Sequence, residues 1–272
     1  MVDQKKKILM LHGYVQSDRI FKAKTGGLRK ALSRLGFELF YPCGPELVGK
    51  KELQNNNSSE DLAKKYNTTN DGEDLFGWWK KNASATTVSS DYEINQSTFD
   101  YLRNYVIKNG PFEGIMGFSQ GSGLAGYLLT DLNKILNLSE NEQPKLNFFV
   151  SFSGFRLEPE KYQVSYNVNP ISIPTLHVKG EIDTLVTEKR SGGLFNSCSE
   201  EIRTYLVHPG GHFVPNSKQF VSQVCGWVQA HTSVNKTATV VNKAVEKAKT
   251  NRLEQPDIGD DLLDMIDSLG KL

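Results

Sequence analysis

The sequence is poor in the features that announce many function classes. Its 272 residues include only three cysteines, Cys43, Cys198 and Cys225, far apart. That spacing excludes a cysteine metal knuckle and leaves no even disulfide set. Reduced thiols, as in a cytosolic protein, are the expectation. No apolar run approaches the ~20 residues of a membrane-spanning helix. The run Ile8 to Leu11 is too short even for the core of a signal peptide. Charge of one sign is also lacking, with 32 Lys+Arg against 31 Asp+Glu. The longest basic run is Lys5 to Lys7, so there is no extended basic surface for nucleic acid or an anionic membrane. No internal repeat is visible. The expected protein is soluble and cytoplasmic, with the nucleus open to it, and works without a metal or organic cofactor.

What is present is a series of short apolar runs, each ending in small or polar residues. "KILMLHG" (Lys7 to Gly13), "FELFYP" (Phe37 to Pro42), "EGIMGF" (Glu113 to Phe118), "LNFFVSFSG" (Leu146 to Gly154), "PTLHVKG" (Pro174 to Gly180) and "EIRTYLVHPG" (Glu201 to Gly210) read as six strands. Strands apolar throughout suit a mostly parallel sheet covered on both faces. Helical patterns lie between them. They cover Gly27 to Leu35, a stretch from a Ser97 cap to Gly110, "GSGLAGYLLTDLNKIL" after Gly121, and "PNSKQFVSQVCGWVQ" after His212. Strands alternating with helices predict a doubly wound α/β sheet.

Two regions break this rhythm. The first, about 44–91, is a polar insertion with "NNNSS" at its heart, followed by "DLFGWWKK". Its aromatic cluster, Phe76, Trp78 and Trp79, either pins the insertion to the core or lines a substrate pocket. The pocket, with Phe21 as a further candidate wall, is the working assignment. The second region is the tail 231–272, beyond a main domain of 1–230. It ends with Leu262, Leu263, Ile266 and Leu269 on one helical face, ringed by Asp260, Asp261, Asp264 and Asp267. Such an acidic amphipathic helix docks on its own domain, stays disordered, or binds a protein partner.

The chemistry centres on Gly117-Phe118-Ser119-Gln120-Gly121. A serine hydroxyl is a poor nucleophile until a base takes its proton and its oxygen is presented to the substrate. A strand that turns abruptly into a helix makes that presentation, and the tight turn demands small residues on both sides. With Gly and Ser each near ~7% of residues, Gly-x-Ser-x-Gly arises by chance in about one chain in ten of this length. The context is what adds weight: an apolar strand precedes the motif, and a helix rich in Gly, Ser and Ala follows it.

Such a serine needs a base and an acid, in the order Ser, Asp/Glu, His. His177 alternates inside a strand and His231 lies past the last helix. His208 sits at a strand end and is expected to be structural. His212, after two glycines, can be carried over the sheet edge and is the expected base. Asp183, just beyond the strand ending at Gly180, is the expected acid, with Glu181 as competitor. The backbone N–H groups of Gln120 and Tyr14 are the expected oxyanion donors. His12 precedes the serine and is assigned to stabilising its loop.

Taken together, "LMLHGYVQS", "GFSQGSG", "GEIDTLV" and "HPGGHFVP" resemble the fungal FSH family of serine hydrolases, within the α/β-hydrolase superfamily. The resemblance runs from about Lys6 to Gln229. It implies the α/β-hydrolase fold and a Ser-Asp-His hydrolase cleaving carboxylic esters or thioesters. By position the triad is Ser119, Asp183 and His212. Related fungal members release acyl chains from carrier-bound thioesters, which keeps thioester cleavage open. The insertion and the acidic tail are not common to the whole family.

The expected substrate is therefore a small ester or thioester with an apolar acyl group. A competing expectation is a non-catalytic interaction protein on a hydrolase scaffold, working through its tail. A metal hydrolase built on His208 and His212 lacks accompanying carboxylate ligands.

Overall fold

The computed structural model describes residues 5–48, 74–80 and 92–232. Contacts divide the chain into Met1–Thr232 and Ser233–Leu272, and all described residues belong to the first unit. The Asn-Ser tract and the acidic amphipathic tail lie outside the described residues.

One sheet organises the described residues. Its strands are β1 (Lys6–Leu11), β2 (Phe37–Phe40), β5 (Gly114–Phe118), β6 (Phe148–Phe152), β7 (Thr175–Gly180) and β8 (Arg203–His208). They lie in the order β2-β1-β5-β6-β7-β8, and every pairing is parallel. Strands β3 (Glu46–Val48) and β4 (Leu75–Gly77) form a separate antiparallel pair. The helices are α1 (Asp18–Lys24), α2 (Gly26–Arg34), α3 (Gln96–Asn109), α4 (Gln120–Leu128), α5 (Leu132–Ile135), α6 (Glu160–Val168), α7 (Glu188–Phe195) and α8 (Lys218–Ala230).

The apolar strands are buried on both faces because alternate side chains enter two different cores. Leu9, Leu11, Ile115 and Phe149 pack with α3 and α4 on one side. Ile8, Met10, Met116 and Phe148 pack with Leu28 and Leu32 of α2 and Val224 and Val228 of α8 on the other. Burying one such side chain contributes about 1.5–3 kcal/mol, so two full layers hold the sheet. This is the α/β-hydrolase architecture. The strand β8, at the edge of the sheet among the described residues, departs from the all-apolar expectation: Thr204, Tyr205 and Val207 are exposed.

Several boundaries differ from the periodicity. The helix expected to run on from Gly121 breaks after Leu128, and Asp131 caps a separate short α5 by accepting from the Lys134 N–H at 3.3 Å. Helix α3 starts at Gln96 behind Asn95 rather than at a Ser97 cap. Helix α8 begins where its cap suggests, with Ser217 Oγ accepting from the Phe220 N–H. Helix α1 carries only two buried residues, Ile20 and Phe21, too few for a visible apolar stripe.

The sheet order turns outward in opposite directions from β1 and β5. The crevice beyond the carboxyl ends of these two strands is where ligands bind open α/β sheets. The segments after β1 and β5 meet there.

Candidate active site

Ser119 stands between the end of β5 and the start of α4, with φ 52° and ψ −115°. A non-glycine residue at positive φ is strained by about 1–3 kcal/mol, so surrounding packing must hold it. The two motif glycines show how. A Cβ on Gly117 would lie 2.5 Å from the Cα of Ser122 and 2.6 Å from its nitrogen. A Cβ on Gly121 would collide with the carbonyl oxygens of Leu11 and His12. The first glycine lets the helix fold back on the strand, and the second lets it approach β1. Ser119 N–H donates to the Phe152 carbonyl (2.9 Å), which ties the turn to β6.

His212 and Asp183 reach this serine from two separate loops. His212 Nε2 lies 2.9 Å from Ser119 Oγ, and His212 Nδ1 lies 2.8 Å from Asp183 Oδ2. The other carboxylate oxygen of Asp183 accepts from the N–H groups of Leu185 (3.0 Å) and Val186 (2.9 Å). With Asp183 accepting from Nδ1–H, the network leaves the Nε2 lone pair facing the serine hydroxyl. Burial alone would raise the Asp183 carboxyl. The His212 ring and the Val186 N–H outweigh it and hold the group below the ordinary carboxylate range. The nearby Ser153 hydroxyl lowers it further.

The His212 loop is fixed from behind. Gly210 N–H donates to His208 Nδ1 (3.2 Å), and the His208 carbonyl accepts from Glu181 N–H (2.8 Å). His208 therefore braces the loop, and burial lowers its pKa. Glu181 is exposed, whereas Asp183 is buried at the histidine. His177 is buried against Thr175 Oγ1 (3.2 Å) and Cys198 Sγ (3.4 Å), and burial depresses it to about 3. His231 stacks on Trp227 and its Nδ1 lies 2.8 Å from that residue's carbonyl.

The loop after β1 brings Tyr14 to the same crevice. His12 is fully buried, and burial lowers its pKa to about 4. A neutral ring is what its neighbours require. Nδ1–H donates to the Gly13 carbonyl (2.7 Å), and Nε2 accepts from Gly44 N–H (2.8 Å). Gly13 N–H in turn donates to Gln16 Oε1 (3.2 Å).

The aromatic cluster sits differently from the pocket expected of it. Trp78 and Trp79 are 0% and 2% exposed. Trp79 stacks on Tyr92 at 5.0 Å, and Trp78 lies 5.0 Å from the His12 ring. Phe21 is likewise sealed in the core, near Tyr41 and Phe118. These rings have no open face, so the tryptophans anchor the segment. Phe76 is half-buried. Sequence patterning also passed over the Gln120 side chain, whose amide contacts the backbone of both tryptophans. The only signal for it was its place beside Ser119. Among the described residues, no group of three or more His, Cys, Asp or Glu side chains could hold a metal, and no helix is long and apolar enough to cross a membrane.

Comparison with known proteins gives concordant results. A family model described as "Serine hydrolase (FSH1)" matches residues 1–224. The chain is 51% identical to "Family of serine hydrolases 3" of Saccharomyces cerevisiae over 273 residues, covering 100% of both chains. It is 32% identical to "Esterase OVCA2" of Danio rerio over 217 residues, covering 77% of this chain and 90% of that one. Among solved structures, the esterase PE8 aligns with a TM-score of 0.57 at 17% identity, covering 84% of this chain and 93% of the other.

Proposed function

This chain belongs to the FSH1 family of serine hydrolases, and from that premise we propose that it cleaves carboxylic esters or thioesters through an acyl-enzyme on Ser119. The observation that carries the proposal is the unbroken line from Ser119 Oγ through His212 to Asp183, with contacts of 2.9 and 2.8 Å.

In the proposed reaction His212 Nε2 takes the Ser119 proton as Oγ attacks the acyl carbonyl. Asp183 holds the ring by Nδ1–H and stabilises the imidazolium as it forms. The N–H groups of Tyr14 and Gln120 receive the developing oxyanion, at the start of a helix whose dipole favours negative charge. His212 then gives the proton to the departing alcohol or thiol. Water, activated by the same histidine, cleaves the acyl-enzyme and regenerates the serine.

The esterase name of the 32%-identical relative favours an ester substrate. The acyl group is taken to be apolar, and half-buried Phe76 is the member of the aromatic cluster proposed to meet it. A direct test is steady-state hydrolysis of p-nitrophenyl esters and acyl thioesters of rising chain length. The expected result is turnover that Ser119→Ala abolishes. Turnover equal to wild type in Ser119→Ala would overturn the proposal.

A further inference from the structure

The Gln120 side chain has no part in the chemistry above, yet it is 5% exposed and fully engaged. Its Oε1 accepts from the Trp78 N–H at 2.8 Å, and its Nε2 donates to the Trp79 carbonyl at 2.8 Å. One side-chain amide thus holds two consecutive residues of the segment Phe76 to Trp79 by their backbone.

That segment, Phe76 to Trp79, is also tied to the loop after β1. Phe76 and Gln16 exchange both backbone hydrogen bonds, at 3.2 and 2.7 Å. The Trp78 indole Nε1–H donates to the His12 carbonyl at 2.8 Å. On its far side, Thr98 Oγ1 donates to the Trp78 carbonyl at 3.0 Å. Between the two attachments, Gly77 has no room for a side chain. A Cβ there would stand 2.7 Å from Tyr14 Cδ2 and 3.0 Å from Gln120 Oε1. The Cβ side of Gly77 thus abuts the side chains of both Tyr14 and Gln120, the two residues whose N–H groups are assigned to the oxyanion.

We infer that Gln120 is a positioning residue whose side chain clamps the Phe76–Trp79 segment as a spacer setting the distance between the two oxyanion donors. The inference rests on the hydrolase proposal above. The Tyr14 and Gln120 N–H groups follow paired neighbouring strands, and the Gly121 contact fixes the start of α4 against the end of β1. The Phe76–Trp79 segment adds a second tie farther out, on the loop that carries Tyr14. The segment bonds to both loops at once, so a change at Gln120 reaches Tyr14 through it. A displacement of about 1 Å at such a site costs on the order of 10²-fold in rate, because donors aimed at the transition state lose alignment while ground-state binding is little affected.

The test is steady-state kinetics of full-length variants on a short-chain p-nitrophenyl ester. Gln120→Met keeps the length of the side chain and the backbone N–H but removes both amide bonds. The expected result is a kcat lower by about 10²-fold with KM little changed. Gln120→Glu separates positioning from simple packing. As a carboxylate it still accepts from Trp78 N–H but sets an oxygen against the Trp79 carbonyl. As a neutral acid it can donate there again. The ratio of its kcat to that of wild type should rise as pH falls, whereas the ratio for Gln120→Met should stay flat.

Trp78→Phe cuts the same tether at its other end, removing the indole N–H together with part of the buried ring, and should also lower kcat selectively once its melting temperature shows that it folds. It carries the test if Gln120→Met does not fold. Wild-type kcat in Gln120→Met, or in Trp78→Phe if that variant stands in, would overturn the clamp. So would a pH-independent ratio for Gln120→Glu. Loss of activity in Ser119→Ala alongside such results would leave the hydrolase proposal standing. Activity surviving in Ser119→Ala would remove the hydrolase proposal and the clamp together.

Discussion

Gly121 lies so close to the end of β1 that a side chain on it would collide with the Leu11 carbonyl oxygen. The contact ties the helix after the serine to the central strand and keeps Ser119 at φ 52°. Gly121→Ala must push α4 away from β1. Overpacking of this kind costs about 1–3 kcal/mol. The expected outcome is a lower denaturation midpoint together with a fall in kcat, because the strained turn relaxes. Thermal melts and ester hydrolysis on the same preparation check both. Gly192, whose Cβ would meet nothing within 4 Å, is the control position for alanine.

The second prediction concerns the acid. Asp183→Asn keeps an oxygen for the Leu185 and Val186 N–H groups, so the loop should hold. Its amide nitrogen, turned toward His212, would favour the tautomer with the proton on Nε2, which cannot accept from Ser119. Loss of the equivalent carboxylate in serine proteases costs about 10⁴-fold in kcat, and a comparable drop with a near-normal melting temperature is expected here.

Three buried histidines make stability depend on pH, His12 and His177 most strongly and His208 in the same direction. Burial holds His12 near 4 and His177 near 3, both below the ordinary 6.5. The folded state keeps both rings neutral where the unfolded chain protonates them. The unfolded state then binds more protons, so stability rises with pH. It should be complete above the unfolded value near 6.5 and fall as pH drops through 5 toward 4. Two extra protons correspond to a slope of about 2.7 kcal/mol per pH unit in the middle of that window. The depressed Asp183 carboxyl acts in the same direction at lower pH, its contribution being lost as pH falls through its folded value. Urea unfolding across that range measures the slope. His177→Phe should flatten it.

Much of the scaffold was legible because its determinants are local. Apolar runs such as "KILML" and "GIMGF" are buried on two faces, and the pattern records that directly. That the side chains of Ser119, His212 and Asp183 would meet was legible from chain order and from the loops that carry them. Trp78 and Trp79 were not. An aromatic cluster looks the same in sequence whether it walls a pocket or pins a segment, and only its burial against Tyr92, Phe155 and His12 separates the two. Gln120 was read for its backbone alone, since its side-chain partners lie 41 and 42 residues away in sequence.

That distinction gives a fourth prediction. Trp79→Ala should destabilise the protein by about 3–5 kcal/mol, as expected for a large buried ring. KM for short acyl esters should stay near wild type. A raised KM with unchanged stability would return Trp79 to the substrate pocket.

The central claim is that Ser119 is the nucleophile, activated by His212. Its most direct test is incubation with a fluorophosphonate followed by peptide mass spectrometry. The account predicts a single adduct on the peptide holding Ser119, absent in Ser119→Ala and formed far more slowly in His212→Ala. Undiminished labelling of Ser119→Ala, or an adduct at another residue of the wild-type protein, would contradict it.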